Sequence, residues 1–483
     1  MIDLRPVLQI VGRILCLLAA AMLLPALADM VAGSREWATF AVASGLTLFV
    51  GLALEFGMRA VGLRQLGLRQ AHLATALGWM APCALAALPF AFGAPHLSAT
   101  DALFEATCGV TATSASLLPG LDHLPPGLLL WRALLQWLGG IGAVVTALAV
   151  LPMLRVGGMQ IFRIEMLSPA DKAAPRAARI GATLLAVYAG LTLLIGLGLW
   201  LAGMPRFDAW LHAMATISTG GFSTWNGSLG HFASARIDLV AAIGMVLGGM
   251  PFMLYFHLAE GNWRAALRET QLRWYLGVLL GATAALTLWL VAARHFDPLT
   301  ALRQGGFTLA SVMTGTGFVS ADYTGWGGMP QALFLFVALL GGCAGSTTGG
   351  IKIFRLQLLL ADAMVQMRQM LRPHAVLITT FNRRSVSKEV LESVMGFLFV
   401  YAVAVAALAM GLGLLGVDFV SALSGAAASI ANLGPGLGAA IGPMGGFSHL
   451  PDPAKWLLMA GMLFGRLELF PLLVLFAPSF WKQ

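Results

Sequence analysis

Four short runs of small and hydroxyl-bearing residues recur along the chain, each after a short apolar segment. The short segments are Asp101–Val110, Asp208–Ile217, Phe307–Met313 and Asp418–Ile430. The candidate ligand residues that follow are Thr111, Ala112, Thr113 and Ser114, then Ser218, Thr219, Gly220 and Gly221, then Thr314, Gly315, Thr316 and Gly317, then Ala431, Asn432, Leu433 and Gly434. The fourth candidate residues of successive runs lie 107, 96 and 117 positions apart. Because carbonyls grouped around an axis replace an ion's hydration shell, the runs predict a filter for a monovalent cation.

Glycine and hydroxyl residues suit such a filter for different reasons. Glycine adopts backbone angles closed to other residues, so Gly221, Gly317 and Gly434 allow a loop to turn its carbonyls toward a path. Ser and Thr hydroxyls can support those carbonyls or add ligands. The competing interpretation is that these residues only allow helices to pack closely. That explains single instances among the 57 glycines, but not four runs in equivalent places.

An apolar segment after the third run is too short to cross a bilayer. Gln331–Gly342 has 12 residues. At ~1.5 Å per residue it covers ~18 Å, against a hydrocarbon core of ~30 Å. The candidate gate residues that follow it are Gly345, Ser346, Thr347, Thr348, Gly349, Gly350 and Lys352. Glycine-interrupted apolar segments indicate unwound backbone that serves transport, so we expect a loop within the membrane that obstructs permeation. The alternative is an ordinary cytoplasmic turn.

A single arginine, Arg466, lies inside the last apolar segment. An arginine at membrane depth is costly and is expected to face a cavity or a partner. Glu468 is two residues away, and residues i and i+2 do not share a helix face, so it is not expected to neutralise Arg466. A fixed positive charge on the path would oppose cation passage, which makes Arg466 a candidate gate residue. For Arg466 and Lys352 alike, the alternative is a structural ion pair with another helix.

The elements that must position these residues are membrane-spanning helices. The 483 residues are 59% apolar and 10% charged, with a mean hydropathy of +0.84. A soluble domain carries about 25% charged residues. The windows Trp37–Leu54, Ile180–Met204 and Gly396–Val417 contain no charge and approach or exceed the ~20 residues of a spanning helix. The composition excludes a soluble enzyme.

Each short segment lies between two longer apolar ones, which predicts one unit used four times: helix, half-helix with loop, helix. Internal repeats of this kind take precedence over local motifs in deciding a fold. The predicted fold is an all-α polytopic membrane protein with two N-terminal transmembrane helices followed by four helix–pore loop–helix repeats around one pore. The predicted boundaries are residues 1–56 for the two extra helices, then 70–155, 176–260, 272–372 and 387–483 for repeats 1 to 4, with the second helix of repeat 3 broken.

Charge placement predicts the orientation. With a cytoplasmic N-terminus, the inner segments hold 21 Lys/Arg and 9 Asp/Glu, whereas the outer segments hold 7 and 11. Lys and Arg collect on the cytoplasmic side, so both termini are predicted to be cytoplasmic. Arg5, Arg13 and residues 26–28 (ALA) imitate a signal peptide, but the apolar run is longer than usual and we expect a retained helix.

Several motifs, taken together, resemble one family of membrane proteins. They are LWR at 130–132, QWLGGIG at 136–142, STGGFST at 218–224, TGF at 316–318, GGCAGSTTGGIK at 341–352, NLGPGLG at 432–438 and GRLE at 465–468. The sequence resembles the Trk/Ktr/HKT superfamily of potassium transporters, and within it the bacterial TrkH branch, over nearly the whole chain.

The resemblance implies gated uptake of monovalent cations, with potassium or sodium as the transported ligand and no resident cofactor. It also implies a homodimer in a bacterial inner membrane, with one pore per subunit and a cytosolic nucleotide-binding regulatory partner of the TrkA type. In such proteins the loop at Gly345–Gly350 and the arginine at Arg466 form the constriction below the filter. No nucleotide-binding motif of the G-x-x-x-x-G-K-[ST] type occurs in this sequence, so any nucleotide acts through a partner.

Two filter positions depart from the family's pattern. The first loop usually reads Thr-Thr-Gly, whereas here it reads Ala112, Thr113, Ser114. In plant relatives a serine at that glycine position accompanies sodium permeation, and its Cβ restricts the backbone angles that glycine allows. The resulting hypothesis is a weakened preference for potassium over sodium. In the third loop Gly315 stands where threonine is more usual, which would add flexibility.

Three other functions compete with this one. A proton- or sodium-coupled potassium symporter needs titratable groups on the path, and the deep ones are Arg466 and Glu468, which favours gated conduction. An intramembrane serine protease would need a histidine near a serine at membrane depth, and none is clearly placed there. A receptor-like subunit without transport would dock a partner through the basic segments 155–179, 264–273 and 355–388, which serve equally well as orientation determinants.

Overall fold

The computed structural model describes residues 2–58, 66–154, 156–162, 173–264, 269–382, 384–438, 440–443 and 445–482. Within these ranges the fold is almost entirely helical. The β structure found there is an antiparallel ribbon of two short strands, Thr380–Phe381 and Arg384–Ser385. The predicted all-α class is confirmed.

Seven helices in the described part are long and apolar enough to cross a membrane: Arg5–Val31, Trp37–Gly57, Leu68–Phe92, Pro126–Leu154, Ile180–Leu201, Thr270–Arg294 and Lys388–Leu414. Two further helix pairs are bent: Ala235–Gly248 with Phe252–Ala259 by 89°, and Asp452–Arg466 with Phe470–Phe476 by 111°. The described residues thus hold up to nine spans if each bent pair counts as one. Large apolar side chains such as Leu280, Leu288 and Phe399 are exposed on their outer faces, where lipid has to cover them. The polytopic architecture is confirmed.

Four shorter helices, half-helices 1 to 4, lie among the long ones. They are Ala99–Val110, Arg206–Ile217, Pro298–Thr314 and Phe419–Ala431. Each has an aspartate at its N-cap or in its first turn, namely Asp101, Asp208, Asp297 and Asp418. A carboxylate stabilises the positive N-terminal end of a helix dipole. The negative C-terminal ends therefore lead into the four loops, where they favour a cation.

Half-helix 3 begins earlier than the sequence pattern predicts. The predicted apolar segment starts at Phe307, whereas the helix starts at Pro298, with Asp297 capping its first amides. Arg303 interrupts the apolar pattern but is partly exposed and lies 3.6 Å from Asp238. The pattern located only the buried end of this helix, because a charged residue on an exposed helix face does not end the helix.

The half-helices and long helices close into a ring. Half-helix 2 packs on Pro126–Val145, the first part of the span Pro126–Leu154, and on Ala173–Leu201, the helix that contains Ile180–Leu201. Half-helix 3 packs on Ala235–Gly248 and Thr270–Arg294, and half-helix 4 packs on Gly328–Leu340 and Lys388–Leu414. Half-helix 1 packs on Pro126–Val145 and on Asp452–Arg466, from the other end of the chain. Pro126–Val145 contacts half-helices 1 and 2, Ala235–Gly248 contacts 2 and 3, Gly328–Leu340 contacts 3 and 4, and Asp452–Arg466 contacts 4 and 1, which closes the ring.

The first two helices lie outside this ring. Arg5–Val31 and Trp37–Gly57 pack along each other, with Ser44 Oγ donating to the Ala19 carbonyl at 2.7 Å. Arg5–Val31 also packs on Leu68–Ala86 and Pro126–Val145. The pair therefore covers one side of the ring without contributing to the four loops.

Candidate ion pathway

The same backbone turn ends all four half-helices. The second residue of each loop has a left-handed backbone: Ala112 (φ 52°), Thr219 (51°), Gly315 (73°) and Asn432 (54°). In every loop the amide of the next residue donates to the carbonyl five positions earlier, at 2.8 or 2.9 Å. This motif turns the chain out of the helix axis. The four loops, residues 111–115, 218–222, 314–318 and 431–435 (loops 1 to 4), therefore share one local conformation.

The fourth position of each loop brings the four loops into contact. Gly221, Gly317 and Gly434 have φ values of 75°, 76° and 102°. A Cβ on Gly221 would overlap the Thr316 carbonyl oxygen, and a Cβ on Gly317 or Gly434 would overlap Ser114 Oγ. The three glycines thus face one another and the Ser114 side chain. Only residues without a side chain at these positions allow so close an approach.

Ser114 is the exception in both backbone and side chain. It is absent from the described residues with positive φ, and its Oγ donates to the Leu433 carbonyl at 2.7 Å. The serine hydroxyl therefore occupies space that the three glycines leave open. It also engages a carbonyl of the neighbouring loop 4, so the departure at Ser114 affects two loops.

Hydroxyl groups support loops 1 and 3 from behind. Thr111 Oγ1 pairs with Thr113 Oγ1 at 2.9 Å, and Thr314 Oγ1 pairs with Thr316 Oγ1 at 2.7 Å. The first threonine of each pair also donates to the carbonyl four residues earlier. These four side chains are buried. They anchor each loop to the end of its half-helix.

Gln136 supports loop 2 in a different way. From the long helix Pro126–Val145, its Nε2 donates to the Gly220 carbonyl at 2.6 Å, and its Oε1 accepts from the Phe222 amide at 2.9 Å. The side chain is fully buried. One amide group thus fixes both a carbonyl and an amide of the same loop.

Arg132, one turn earlier on the same helix, ties loops 1 and 2 together. Its Nε lies 2.9 Å from Glu105 Oε1, and its other nitrogens donate to the Ser223 carbonyl at 2.8 Å and to Ser116 Oγ at 3.0 Å. The guanidinium lies 4.1 Å from the centre of the Phe222 ring. The sequence interpretation gave Arg132 and Gln136 no role at the site. Two polar residues four apart within an apolar segment share a helix face, and that was the available signal.

The predicted gate residues meet at the inner ends of these loops. Gly328–Leu340 ends there, and the next helix starts at Ile353. Residues 341–352 between them form the intramembrane loop, which returns to the helix end that it left: the Lys352 amide donates to the Leu340 carbonyl at 2.9 Å. Thr347 Oγ1 donates to the carbonyls of Ile217 and Gly248, each at 3.1 Å. The intramembrane loop is thus fixed against the end of half-helix 2.

The remaining gate residues in this loop are buried with it. Gly345 and Gly350 have positive φ values of 73° and 81°. Ser346 Oγ and Thr348 Oγ1 are 2.7 Å apart. Gly349 packs on loop 4, since a Cβ there would overlap the Ala431 carbonyl oxygen. A compact, fully packed loop therefore occupies the space where a longer helix would otherwise run.

Arg466 joins the intramembrane loop to loop 1. Its Nε donates to the Thr111 carbonyl at 2.6 Å, and its Nη1 donates to the Thr347 carbonyl at 2.7 Å. The residue is 6% exposed. Among the described residues, Glu468 pairs with Arg355 instead. Arg466 therefore contacts carbonyl oxygens of loop 1 and of the intramembrane loop.

Two cationic side chains and one carboxylate line a small cavity beside this contact. This cavity of about 20 Å³ is lined by Lys352, Arg466, Glu468 and small residues of the intramembrane loop, which leaves room for about one water molecule. Lys352 Nζ donates to the Thr348 carbonyl. On the other side of the loops, a polar cavity of about 100 Å³ is lined by Ser114, Gly221 and Gly317. The first cavity is lined by predicted gate residues and the second by the fourth residues of loops 1 to 3, and the two share no lining residue.

Comparison with known proteins identifies the family. A family model described as "TrkH: Cation transport protein" matches residues 40–483. The Trk system potassium uptake protein TrkI of Halomonas elongata is 40% identical over 482 residues, covering 99% of this chain and 97% of the relative. The Trk system potassium uptake protein TrkH of Escherichia coli K12 is 37% identical over 485 residues, covering 99% of each.

A solved structure agrees over the full length. The crystal structure of the potassium transporter TrkH from Vibrio parahaemolyticus has a TM-score of 0.91 and 33% identity, and the match covers 100% of both chains. The family consists of membrane transporters, so the chain is not an enzyme. This protein belongs to the TrkH family of cation transport proteins.

Proposed function

We propose that this protein mediates gated uptake of monovalent cations, chiefly potassium, through one pore formed by the four repeats. Several relatives are named as potassium uptake proteins. The observation that carries the proposal is the shared turn at Ala112, Thr219, Gly315 and Asn432, which places four loops of the same conformation in mutual contact. The sixteen candidate ligand residues of these loops form the filter in this proposal. The repeat boundaries predicted from the sequence belong to the same proposal.

The proposed path runs from the polar cavity lined by Ser114, Gly221 and Gly317 through the four loops to the intramembrane loop. The negative ends of four half-helices meet at the inner side of the filter, where they favour a cation. Carbonyl oxygens replace its hydration shell within the filter. At the inner end, residues 345–350, Lys352 and Arg466 block the path. Opening requires that the intramembrane loop withdraw and that Arg466 release the Thr111 and Thr347 carbonyls.

Uncoupled conduction is the favoured form of transport over symport with protons or sodium. A coupled carrier needs a titratable group on the path, and the deep carboxylate Glu468 is paired with buried Arg355. Reversal potentials across a reconstituted bilayer separate the two. A conducting pore follows the permeant cation alone, whereas a symporter shifts with the coupling ion.

Sodium permeation is a second part of the proposal, because of Ser114. Its hydroxyl engages the Leu433 carbonyl, which leaves that oxygen less available to a cation. The loss of one carbonyl ligand weakens the binding of potassium more than that of sodium, since potassium binding depends on a full set of carbonyls in place of water. We therefore expect a lower preference for potassium than in a relative with four glycines.

The assembly is proposed to be a homodimer with a cytosolic TrkA-type regulatory subunit, in the inner membrane of a bacterium with both termini in the cytoplasm. The relatives named above are components of Trk systems. The basic segment 355–388 includes the exposed end of Ile353–Leu371, which suits a docking surface. Residues 155 and 163–172 of segment 155–179, and residues 265–268 of segment 264–273, lie outside the described residues. Copurification with such a subunit tests the assembly.

The proposed function is tested by ion flux into liposomes that contain purified protein. Wild type is expected to carry potassium, and Arg466→Ala to carry it at least about tenfold faster. The reason is that each lost charge-assisted hydrogen bond is worth about 1.5–3 kcal/mol, and about 1.4 kcal/mol corresponds to a factor of ten. Arg372→Ala, an exposed arginine beyond the gate, serves as the control. Absence of potassium flux in wild type and Arg466→Ala alike would contradict the proposal.

A further inference from the structure

The second position of the filter loops has a twofold pattern. Loops 1 and 3 carry Ala112 and Gly315 there, whereas loops 2 and 4 carry the polar residues Thr219 and Asn432. The last two are 2% and 1% exposed. Buried polar atoms normally have hydrogen-bond partners, so each unpaired one requires an explanation.

The amide of Asn432 has a fixed orientation. Its Nδ2 lies 2.9 Å from the Met462 carbonyl oxygen and 3.1 Å from Thr113 Oγ1. A carbonyl oxygen only accepts, so the Asn432 atom facing Met462 has to be the nitrogen. Oδ1 then points away from both, and no hydrogen-bond donor among the described residues reaches it. A buried neutral oxygen is thus left without a partner beside the inner carbonyls of loop 4.

The intramembrane loop covers this oxygen. A Cβ on Gly349 would lie 3.2 Å from Asn432 Oδ1 and would overlap the Ala431 carbonyl oxygen. Both oxygens therefore face Gly349, which has no side chain to donate to them. On loop 2, Thr219 Oγ1 lies 3.1 Å from Thr347 Oγ1. The intramembrane loop thus rests on loops 2 and 4 at the positions where their polar residues lie.

We propose that Asn432 Oδ1 and the Ala431 carbonyl form an innermost cation site, for which the intramembrane loop and the permeant cation compete. The inference rests on the proposed function. Neutral carbonyl-type oxygens are the ligands that replace the hydration shell of potassium. The loop covers them in the closed path, so a cation binds there only after the loop has withdrawn. By mass action, cytoplasmic potassium then stabilises the open path.

Single-channel recording of the full-length protein in planar bilayers tests this competition. Internal potassium chloride is raised stepwise, with N-methylglucamine chloride holding the ionic strength constant, and the open probability is measured. Wild type is expected to open more as internal potassium rises. Asn432→Ser withdraws the side-chain oxygen, so the activating effect of potassium is expected to fall at least about threefold, because a weaker site shifts the equilibrium less.

A second variant leaves Asn432 untouched. Gly349→Ala places a methyl group against the Ala431 carbonyl, so the intramembrane loop cannot seat on loop 4. Open probability at low internal potassium is expected to rise about tenfold and to lose its dependence on potassium, since the competing loop is already displaced. This variant decides the question even where Asn432→Ser fails to fold.

The matched control is Asn382→Ser. Asn382 also has a left-handed backbone (φ 47°), but it lies in the turn between the two strands of the ribbon, where its Oδ1 accepts a hydrogen bond from Thr270 Oγ1. It is expected to keep the potassium dependence of wild type. The inference is overturned if Asn432→Ser keeps that dependence as well, or if Gly349→Ala stays as closed as wild type at low potassium. Conductance without any potassium dependence in wild type overturns it while leaving the proposed function intact. Absence of all cation conductance overturns both.

Discussion

Ser114 differs from the three glycines around it in two ways that have separate consequences. Its backbone does not adopt the left-handed conformation of Gly221, Gly317 and Gly434. Its hydroxyl donates to the Leu433 carbonyl. The first difference concerns the orientation of loop 1, and the second draws an oxygen of loop 4 into a hydrogen bond.

Replacing Ser114 by glycine is expected to raise the permeability ratio of potassium to sodium. The change releases the Leu433 carbonyl and permits the glycine backbone in loop 1. A neutral hydrogen bond is worth about 0.5–1.5 kcal/mol. We therefore expect a change of about two- to tenfold, since about 1.4 kcal/mol corresponds to tenfold. Reversal potentials with potassium on one side and sodium on the other provide the measurement.

The control for this change is Ser385→Gly, in the exposed two-stranded ribbon. It is expected to leave the ratio unchanged. An equally strong potassium preference in wild type and Ser114→Gly would show that neither the backbone nor the hydroxyl of Ser114 affects selectivity.

Individual residues differed in how far the sequence revealed them. Arg466 could be singled out because a lone charge in an apolar segment is costly and needs an explanation. Its partners could not, since Thr111 and Thr347 lie 355 and 119 residues away along the chain. The unpaired oxygen of Asn432 could not be predicted from the sequence either, because its contact with Gly349 depends on how the intramembrane loop packs on loop 4.

At the scale of elements, the long helix Pro126–Val145 acts as a support for two filter loops. From adjacent turns of this helix, Gln136 bonds loop 2, and Arg132 bonds Ser116 and Ser223, which directly follow loops 1 and 2. The helix is rigid and fully hydrogen-bonded, so it positions loop backbone more accurately than another loop would. The geometry of the proposed filter therefore depends on residues outside its four loops.

Gln136→Met is expected to lower both stability and selectivity. The methionine has similar volume but leaves the Gly220 carbonyl and the Phe222 amide without their buried partners, at a cost of about 1–3 kcal/mol. Thermal unfolding in detergent and the potassium-to-sodium permeability ratio are the two measurements. Gln366→Met, at an exposed position of Ile353–Leu371, should change neither. Unaltered unfolding and selectivity in Gln136→Met would mean that loop 2 keeps its conformation without the hydrogen bonds of Gln136.

A second contact between elements joins the helix Ile353–Leu371, which follows the intramembrane loop, to Glu468 near the C-terminus. Arg355 is fully buried, pairs with Glu468 and donates to the Gly157 carbonyl at 2.8 Å. Its guanidinium also lies 3.7 Å from the centre of the Phe397 ring. The contacts of Arg355 fix Ile353–Leu371 against three other segments close to the proposed gate.

Glu468→Gln is expected to destabilise the protein by about 3–5 kcal/mol, because it leaves a buried arginine without its counter-charge. The midpoint of thermal unfolding measures this. Adding Arg355→Met should recover part of the loss, since the unpaired charge is then removed as well. A double variant less stable than Glu468→Gln alone would contradict the role of the pair.

Element boundaries were predictable where length decided the matter. Gln331–Gly342 is too short to span a bilayer, and the helix does end at Leu340. The predicted start of half-helix 3 was wrong. The hydrophobic pattern treats a charged residue as the end of a helix, but Arg303 lies on an exposed helix face near Asp238. The hydrophobic pattern indicates which residues are buried, whereas a helix can continue beyond its buried part.

At the scale of the whole molecule, four weakly similar segments form one closed ring. Half-helix 1 reaches Asp452–Arg466 near the opposite end of the chain, and Arg466 on that helix contacts loop 1. The spacing of the runs predicted four equivalent units, because the bilayer allows irregular backbone only in such protected places. The residue types indicated the departure at Ser114, but the contacts that Ser114, Gln136 and Asn432 make could not be predicted from the sequence.

The central claim is that loops 1 to 4 form one cation filter that the intramembrane loop and Arg466 close. Crystals of the protein soaked in rubidium chloride test it directly through anomalous diffraction. We expect rubidium density on one axis, ringed by carbonyl oxygens of all four loops and ending above Arg466. Density elsewhere, or none between the four loops, would contradict the account.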